Sequence, residues 1–251
     1  MSQNDLAGMG ADDMTSLAKG AVTLGQPLTA GQLAQFERYL ALLLDWNQRL
    51  NLTAIRDPAA IVPRHFLDAI SCATVTGDLN GQKLVDVGAG AGLPGLPLKI
   101  LYPDMALTLV ESTAKKARFL AAVVEELELQ QVTLVVDRAE NAGHMPEHRE
   151  AYDWAVARAV AVMPTLVEYL LPLCRVGGRL LAQKGPRAAE EIDQAEWAIK
   201  FLGGDQPSLH QVAVPGLDET RFLIVAEKIG PGPDGYPRRS GVPAKSPLLG
   251  P

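Results

Sequence analysis

The sequence predicts an α/β protein: a mostly parallel seven-stranded sheet with an antiparallel last strand, preceded by a helical extension. Three observations carry that expectation. After Gly81, short β-branched apolar runs alternate with helical stretches, as in a parallel sheet with helices on both faces. A glycine-rich loop, VDVGAGAGLPGLP over residues 85–97, joins the first of those runs to the next helix. The last two runs are linked only by the short stretch Pro215-Gly216-Leu217-Asp218-Glu219, which suits an antiparallel pair and not a parallel crossover.

The elements follow in order. Residues 1–27 are small and polar, without a sustained period, and are expected to be disordered. Residues 28–80 form a helical unit. Thr29 and Gln32 make a capping box, and Leu33, Phe36, Leu40, Leu43 and Leu50 recur at helical spacing, so a helix runs to about Leu50. The stripe Leu33, Phe36, Leu40, Leu43 and Trp46 is expected to pack against the sheet. Asp57 and Pro58 are an N-cap and first-turn pair, and helical pattern continues to about Ala73. Residues 81–229 are the main domain, with strands at 83–87, 106–110, 132–136, 153–157, 178–183, 208–214 and 220–227. Helices fill 94–101, 113–127, 162–173 and 187–202. Residues 230–251 are a basic Pro/Gly-rich tail, expected to be extended because that composition suits neither a helix nor a central strand.

Composition narrows the function. At 251 residues the chain supports one sizeable core with appendages. No apolar run reaches bilayer length. Asp5, Asp12 and Asp13 stand where a secretory signal would be basic, so a cytoplasmic protein is expected. Cys72 and Cys174 read as reduced core thiols. His144 and His148 flank Pro146 without a further ligand nearby, so no metal site is expected. A net charge of −6 argues against a generally basic nucleic-acid binder. Any RNA contact must then come from local cations: Lys115, Lys116 and Arg118 on one helix, Lys184 at a strand end, and Arg238, Arg239 and Lys245 in the tail.

The glycine loop lets a ligand approach the backbone at a helix start. Gly90-x-Gly92-x-x-Gly95, with Glu111 placed 21 residues after Gly90, fits a dinucleotide fingerprint. Asp86-x-Gly88-x-Gly90-x-Gly92, with Glu111 at the end of the next strand, fits class I S-adenosylmethionine (SAM) methyltransferases instead. The second register fits better. Asp86 in a buried strand must face the turn and bond backbone or a ligand ammonium, and the closing antiparallel pair suits a methyltransferase sheet. SAM is therefore the expected cofactor. Arg138-Ala139-Glu140, Arg158 and Lys184 follow or end the third, fourth and fifth strands, at the edge where open α/β sheets bind ligands.

The chain lacks the Asn/Asp-Pro-Pro-aromatic turn of adenine-N6 enzymes, having Ala157-Arg158-Ala159 after strand four. Neither cysteine suits the nucleophile of cytosine-C5 enzymes. Guanine N7 is an unprotonated acceptor and can attack a sulfonium methyl once aligned and shielded from water. The phrases LDWNQRLNLTAIRDP, RHFLDAI, VDVGAGAGLPGLPL, ESTAKKARFL, DRAEN, ARAVA, LLAQKG and YPRRSGVPAKSPL occur in that order. By them the sequence resembles the RsmG (GidB) family of bacterial 16S rRNA guanine-N7 methyltransferases.

The resemblance implies a Rossmann-like class I fold, SAM as methyl donor, and guanine 527 (usual rRNA numbering) of the 16S rRNA or 30S subunit as target. By that likeness Gly88 and Leu93 line the SAM site, Ala139 and Glu140 hold the adenine end, and Arg158 closes the pocket as the residue closest to catalysis. Gly90, Gly92 and Glu111 follow from the general fold. Many relatives carry Phe at the position of Leu93 and Asp at that of Glu111. His65, with Asp68 and Arg64 beside it, is open to either a functional or a structural role. No membrane and no oligomer is required.

Overall fold

The computed structural model describes the backbone of residues 3–250 and the side chains of residues 12–250. Helices α1 (Gln3–Thr23) and α2 (Ala30–Leu50) come first, then α3 (Pro58–Ile61), a π-helical turn Val62–Leu67, α4 (Asp68–Ile70) and α5 (Ala73–Thr76). The alternating part runs β1 (Lys83–Val87), α6 (Gly95–Leu101), β2 (Ala106–Val110), α7 (Ala114–Glu126), β3 (Val132–Val135), α8 (Ala139–Ala142), β4 (Tyr152–Arg158), α9 (Met163–Leu170), β5 (Cys174–Lys184) and α10 (Ala188–Phe201). Strands β6 (Ser208–Val212) and β7 (Arg221–Glu227) and the short α11 (Val242–Lys245) complete the chain.

The seven strands lie in the order β3-β2-β1-β4-β5-β7-β6. The first five are mutually parallel, and β7 runs antiparallel to both β5 and β6. Side chains alternate between the two faces, as a pleated strand requires. Leu84, Leu107, Leu109, Trp154 and Val156 enter one core with α2, α6 and α7. Val85, Val87, Ala155 and Ala157 enter the other with α9 and α10. The order reverses at β1–β4, the switch point where such sheets open a crevice beyond their C-terminal ends.

The helical unit has no core of its own. Phe36 and Tyr39 of α2 meet Phe66 at ring distances of 5.1 and 5.2 Å, and Tyr39 also approaches Phe119 of α7 at 6.5 Å. These side chains share one cluster with the sheet. The Thr29–Gln32 capping box forms, with Thr29 as the N-cap of α2.

Two expectations are corrected. Residues 1–27 were expected to be disordered, yet Gln3–Thr23 is helix, and Met14, Leu17 and Ala21 are buried in the same core as α2. Residues 1 and 2 lie outside the described residues. The three buried positions are a one-sided stripe at spacings of three and four, which the small and polar residues between them conceal in the sequence. The tail, expected to be extended, turns through α11. Pro243 falls in its first turn, where the missing N–H has no helical partner to lose.

Candidate active site

The glycine loop leaves β1 at the switch point. Gly88 N–H and Ala89 N–H both donate to the Val110 carbonyl, which ties the loop to the end of β2. Gly88 and Gly90 adopt φ of 72° and 57°, in the left-handed region. Gly95 N–H donates to Asp86 Oδ2 at 2.8 Å, and a Cβ at Gly95 would lie 2.9 Å from that oxygen. So Asp86 faces the turn and bonds its backbone, and only glycine admits it. Its Oδ1 has no partner among the described residues. Burial pushes the Asp86 carboxyl up to about 7, against the opposing effect of the Gly95 N–H.

Two further side chains hold the loop. Glu111, directly after β2, accepts from Gly90 N–H at 2.9 Å and from Thr113 N–H at 2.7 Å, one bond on each carboxylate oxygen. Tyr39, fully buried on α2, donates its hydroxyl to the Ala91 carbonyl. A Cβ at Gly92 would lie 2.8 Å from the Tyr39 oxygen. Gly92 therefore permits close packing beneath the loop and lines none of the three cavities at this edge.

Three cavities meet at this edge. The first, about 230 Å³, is bounded by Gly88, Asp137, Ala139, Glu140, Tyr169 and Ala244. The second, about 210 Å³, lies against residues Gly88–Ala91 and Leu93 and is closed by Thr53, His65, Lys116 and Arg158. The third, about 440 Å³, lies beyond Arg158 and includes Asp68, Lys184, Glu191 and Arg221. Gly88 borders the first and second. His65, Arg158 and Ala159 border the second and third.

Arg158 ends β4, and its orientation comes from the N-terminal helices. Its Nη1 donates to Asp68 Oδ2 at 2.9 Å and to the Arg64 carbonyl at 3.1 Å. Asp68 is 3% exposed, and Arg221 Nε donates to its other oxygen at 3.0 Å. Gln183 Nε2 donates to the Asp68 carbonyl at 2.6 Å. One buried residue thus joins the helical unit to β4 and β7 through its carboxylate and to β5 through its backbone carbonyl. His65 Nε2 lies 2.8 Å from the Thr53 hydroxyl, and Nδ1 lies 2.9 Å from the Arg64 carbonyl. Burial, then the nearby Arg158 charge, holds the His65 pKa down to about 4. The neutral ring donates from Nδ1–H to Arg64 and accepts the Thr53 proton at Nε2, a tautomer assigned from these partners.

The tail forms part of the wall. Arg238 grips Glu168 of α9, with Nε at 2.9 Å from Oε1 and Nη2 at 2.7 Å from Oε2. Gly241 N–H donates to Glu140 Oε1 at 2.7 Å, and Thr165 Oγ1 donates to the Pro243 carbonyl at 3.1 Å. Ala244 consequently borders the first cavity.

Among the residues singled out from sequence, Gly88, Gly90, Leu93, Ala139, Glu140 and Arg158 border the first two cavities, and Glu111 reaches them through Gly90. The seven cations singled out for RNA divide. Lys115, Arg118, Arg239 and Lys245 are exposed, and Lys116 borders the second cavity. Arg238 is not free, being paired with a fully buried carboxylate. Lys184 donates to Glu191 and to the Ala161 carbonyl, each at 2.6 Å. His144 contacts the Pro237 carbonyl and His148 the Tyr152 hydroxyl. Sequence reasoning passed over Tyr39, although it sits at i+3 from Phe36 in the apolar stripe. It also passed over Glu168, Gln183, Glu191 and Arg221, for which no local pattern gives a signal.

The sheet order, the antiparallel β7 and the glycine loop define a class I SAM-dependent methyltransferase fold. Solved structures agree on that fold. A predicted O-methyltransferase from Agrobacterium tumefaciens superposes with a TM-score of 0.51 at 16% identity, over 66% of this chain and 80% of its own. TYW2 of P. horikoshii, solved in complex with MeSAdo, superposes with a TM-score of 0.51 at 13% identity, over 67% of this chain and 64% of its own. Residues 32–219 match the family described as rRNA small subunit methyltransferase G (GidB). The protein called ribosomal RNA small subunit methyltransferase G in Roseiflexus castenholzii is 51% identical over 94% of this chain and 100% of its own length. Its namesake in Dehalococcoides mccartyi strain CBDB1 is 46% identical over 94% of this chain and 100% of its own. The chain belongs to the rRNA small subunit methyltransferase G family, whose methyl donor is SAM.

Proposed function

We propose that this protein transfers a methyl group from SAM to N7 of a guanine in 16S rRNA, guanine 527 in the usual numbering. The observation that carries the reading is the meeting of the second and third cavities at His65, Arg158 and Ala159, which leaves room for a methyl donor on one side and a base on the other. SAM supplies an electrophilic methyl on a sulfonium. Glu140 keeps one carboxylate oxygen, Oε2, without a partner among the described residues, and in this reading it accepts from the adenine amino group beside Ala139. The remaining lone pairs of Glu111 suit ribose hydroxyls. Gly88, Gly90 and Leu93 let the methionine portion lie against the loop, and Arg158 closes the cavity above it.

Beside Arg158, two of the titratable groups are already engaged. His65 has both ring nitrogens bonded and Asp68 both oxygens. A nucleophile that arrives without a proton to lose, such as guanine N7, needs only positioning there. Exposed Lys115, Arg118, Arg239 and Lys245, with Lys116 at the cavity edge, are free to meet RNA phosphates. No helix among the described residues is long and apolar enough to cross a membrane, and the reading places the protein with the small ribosomal subunit in the cytoplasm, with no second copy required.

The test is mass spectrometry of 16S rRNA from cells lacking the protein. The expected result is loss of 7-methylguanosine at that site, restored by the wild-type chain and not by Arg158→Ala. An unchanged modification pattern overturns the reading.

A further inference from the structure

The third cavity has a chemistry that methyl donation does not use. Its volume of about 440 Å³ is within the ~300–1,000 Å³ of small-molecule sites. Four cations border it (Arg64, Arg158, Lys184 and Arg221) with the carboxylates Asp68 and Glu191. Asp68 is saturated by Arg158 and Arg221. Gln183 Oε1 has no partner among the described residues but is fully buried. Glu191 differs from both. Its Oε2 accepts from Met163 N–H at 2.9 Å and from Lys184 Nζ at 2.6 Å, and its Oε1 has no partner among the described residues. The side chain is 18% exposed and borders the cavity. Lys184, anchored in turn on the Ala161 carbonyl, and the first turn of α9 hold this carboxylate as an oriented anion beside the loop that follows β4.

An unpaired, oriented carboxylate oxygen calls for a ligand edge that carries only donors. Guanine has one, its N1–H and 2-amino group, on the six-membered ring opposite N7. Adenine offers an acceptor at N1, which a carboxylate repels. We propose that Glu191 is the specificity-determining residue for the target base: Oε1 accepts from guanine N1–H and N2–H while N7 points toward the second cavity. This rests on the guanine-N7 reading above.

The experiment compares 30S subunits reconstituted with guanine or with inosine at the target position. Inosine keeps N7, O6 and N1–H and lacks the 2-amino group. The wild-type enzyme is expected to prefer guanine. Glu191→Ala should lower kcat/KM on guanine about 10–100-fold, as expected for one or two charge-assisted hydrogen bonds. It should lower kcat/KM on inosine less, so that the guanine/inosine ratio falls toward one. SAM affinity and Tm report whether the fold is intact. Glu191→Gln, which retains volume and can still accept from Met163 N–H, gives the same readout if the alanine variant is unstable. Equal losses on both substrates, with the ratio kept, mean a purely structural role and overturn the proposal. Nucleoside analysis separates the two readings. A product other than 7-methylguanosine fails the guanine-N7 reading and this proposal with it, whereas 7-methylguanosine with an unaltered ratio fails only the role of Glu191.

Discussion

The sequence reads Arg238, with Arg239 and Lys245, as meeting RNA phosphates or else as packing the tail beside the pocket, and the surroundings of Arg238 favour the second. Glu168 is fully buried in α9, and Arg238 satisfies it through Nε, Nη2 and its own backbone N–H, the last at 2.7 Å. Arg238→Ala leaves a buried carboxylate without a counter-charge. Breaking such a pair from one side costs about 3–5 kcal/mol when both partners are buried. The Arg238 side chain is 24% exposed, so water recovers part of that and about 2–4 kcal/mol is expected. In a chain of this size that corresponds to a fall in Tm of roughly 5–12 °C. Loosening the strap also removes the Gly241 bond to Glu140 and the Ala244 wall, so calorimetry should show weaker SAM binding.

Glu168→Gln on that background removes the orphaned charge and should restore part of the stability, a coupling that a double-mutant cycle isolates. Arg239→Ala with Lys245→Ala serves as the contrast. Both side chains are exposed, so Tm and SAM affinity should hold, while the salt slope of RNA binding falls by up to about two units. The reasoning is refuted if Arg238→Ala keeps its Tm and SAM affinity but shows the flattened salt slope.

Gly90→Val places a branched side chain at φ 57° beside the loop's ligand face, and should abolish SAM binding by calorimetry with near-native circular dichroism; unchanged affinity would move the cofactor elsewhere. Tyr39→Phe leaves the Ala91 carbonyl without its donor and should cost about 1–3 kcal/mol in stability, measured by urea denaturation, with weaker SAM affinity as the loop loosens. His65 and Asp86 should tilt the pH dependence of stability in opposite directions. Between about 4 and 6.5 the unfolded chain holds the extra His65 proton, so stability rises with pH; between 3.8 and about 7 the native state holds the extra Asp86 proton, so stability falls. Urea midpoints from pH 4 to 7 should rise more steeply with pH in Asp86→Asn and fall more steeply in His65→Gln, and parallel profiles would contradict both shifts.

What the sequence made legible was local. β1 and β2 occupy the residues their β-branched alternation indicates, and Asp86, Gly88, Gly90 and Glu111 could be assigned because a turn and the next strand end bring them together over 25 residues. β5 begins at Cys174 and not near residue 178, because Gly177, at φ 80°, and Gly178 interrupt the apolar pattern while the strand continues through them. The ion pairs that shape the site were not legible. Arg158 and Asp68 are 90 residues apart, Arg221 and Asp68 are 153, and Arg238 and Glu168 are 70. A charged residue at a strand end reads the same whether it faces solvent, a phosphate or a buried partner. Only the fold decides.

That difference bears on where the active site ends. Residue 80 looks like a boundary because the sequence pattern changes there, from helical spacing to strand and helix in alternation. Physically the boundary is absent. Asp68 enters from the helical unit, yet it orients Arg158 on β4 and Arg221 on β7, and Gln183 on β5 holds its carbonyl. Tyr39 enters from α2, yet it fixes the cofactor loop. The wall of the first cavity comes from the opposite end of the chain, through Gly241 and Ala244. The sheet therefore supplies the crevice, while the segments that flank it in sequence set its shape. A substitution in either flank that changes activity is then to be read first as a change in how Arg158, the loop or the first cavity is held, and only afterwards as a lost contact to RNA.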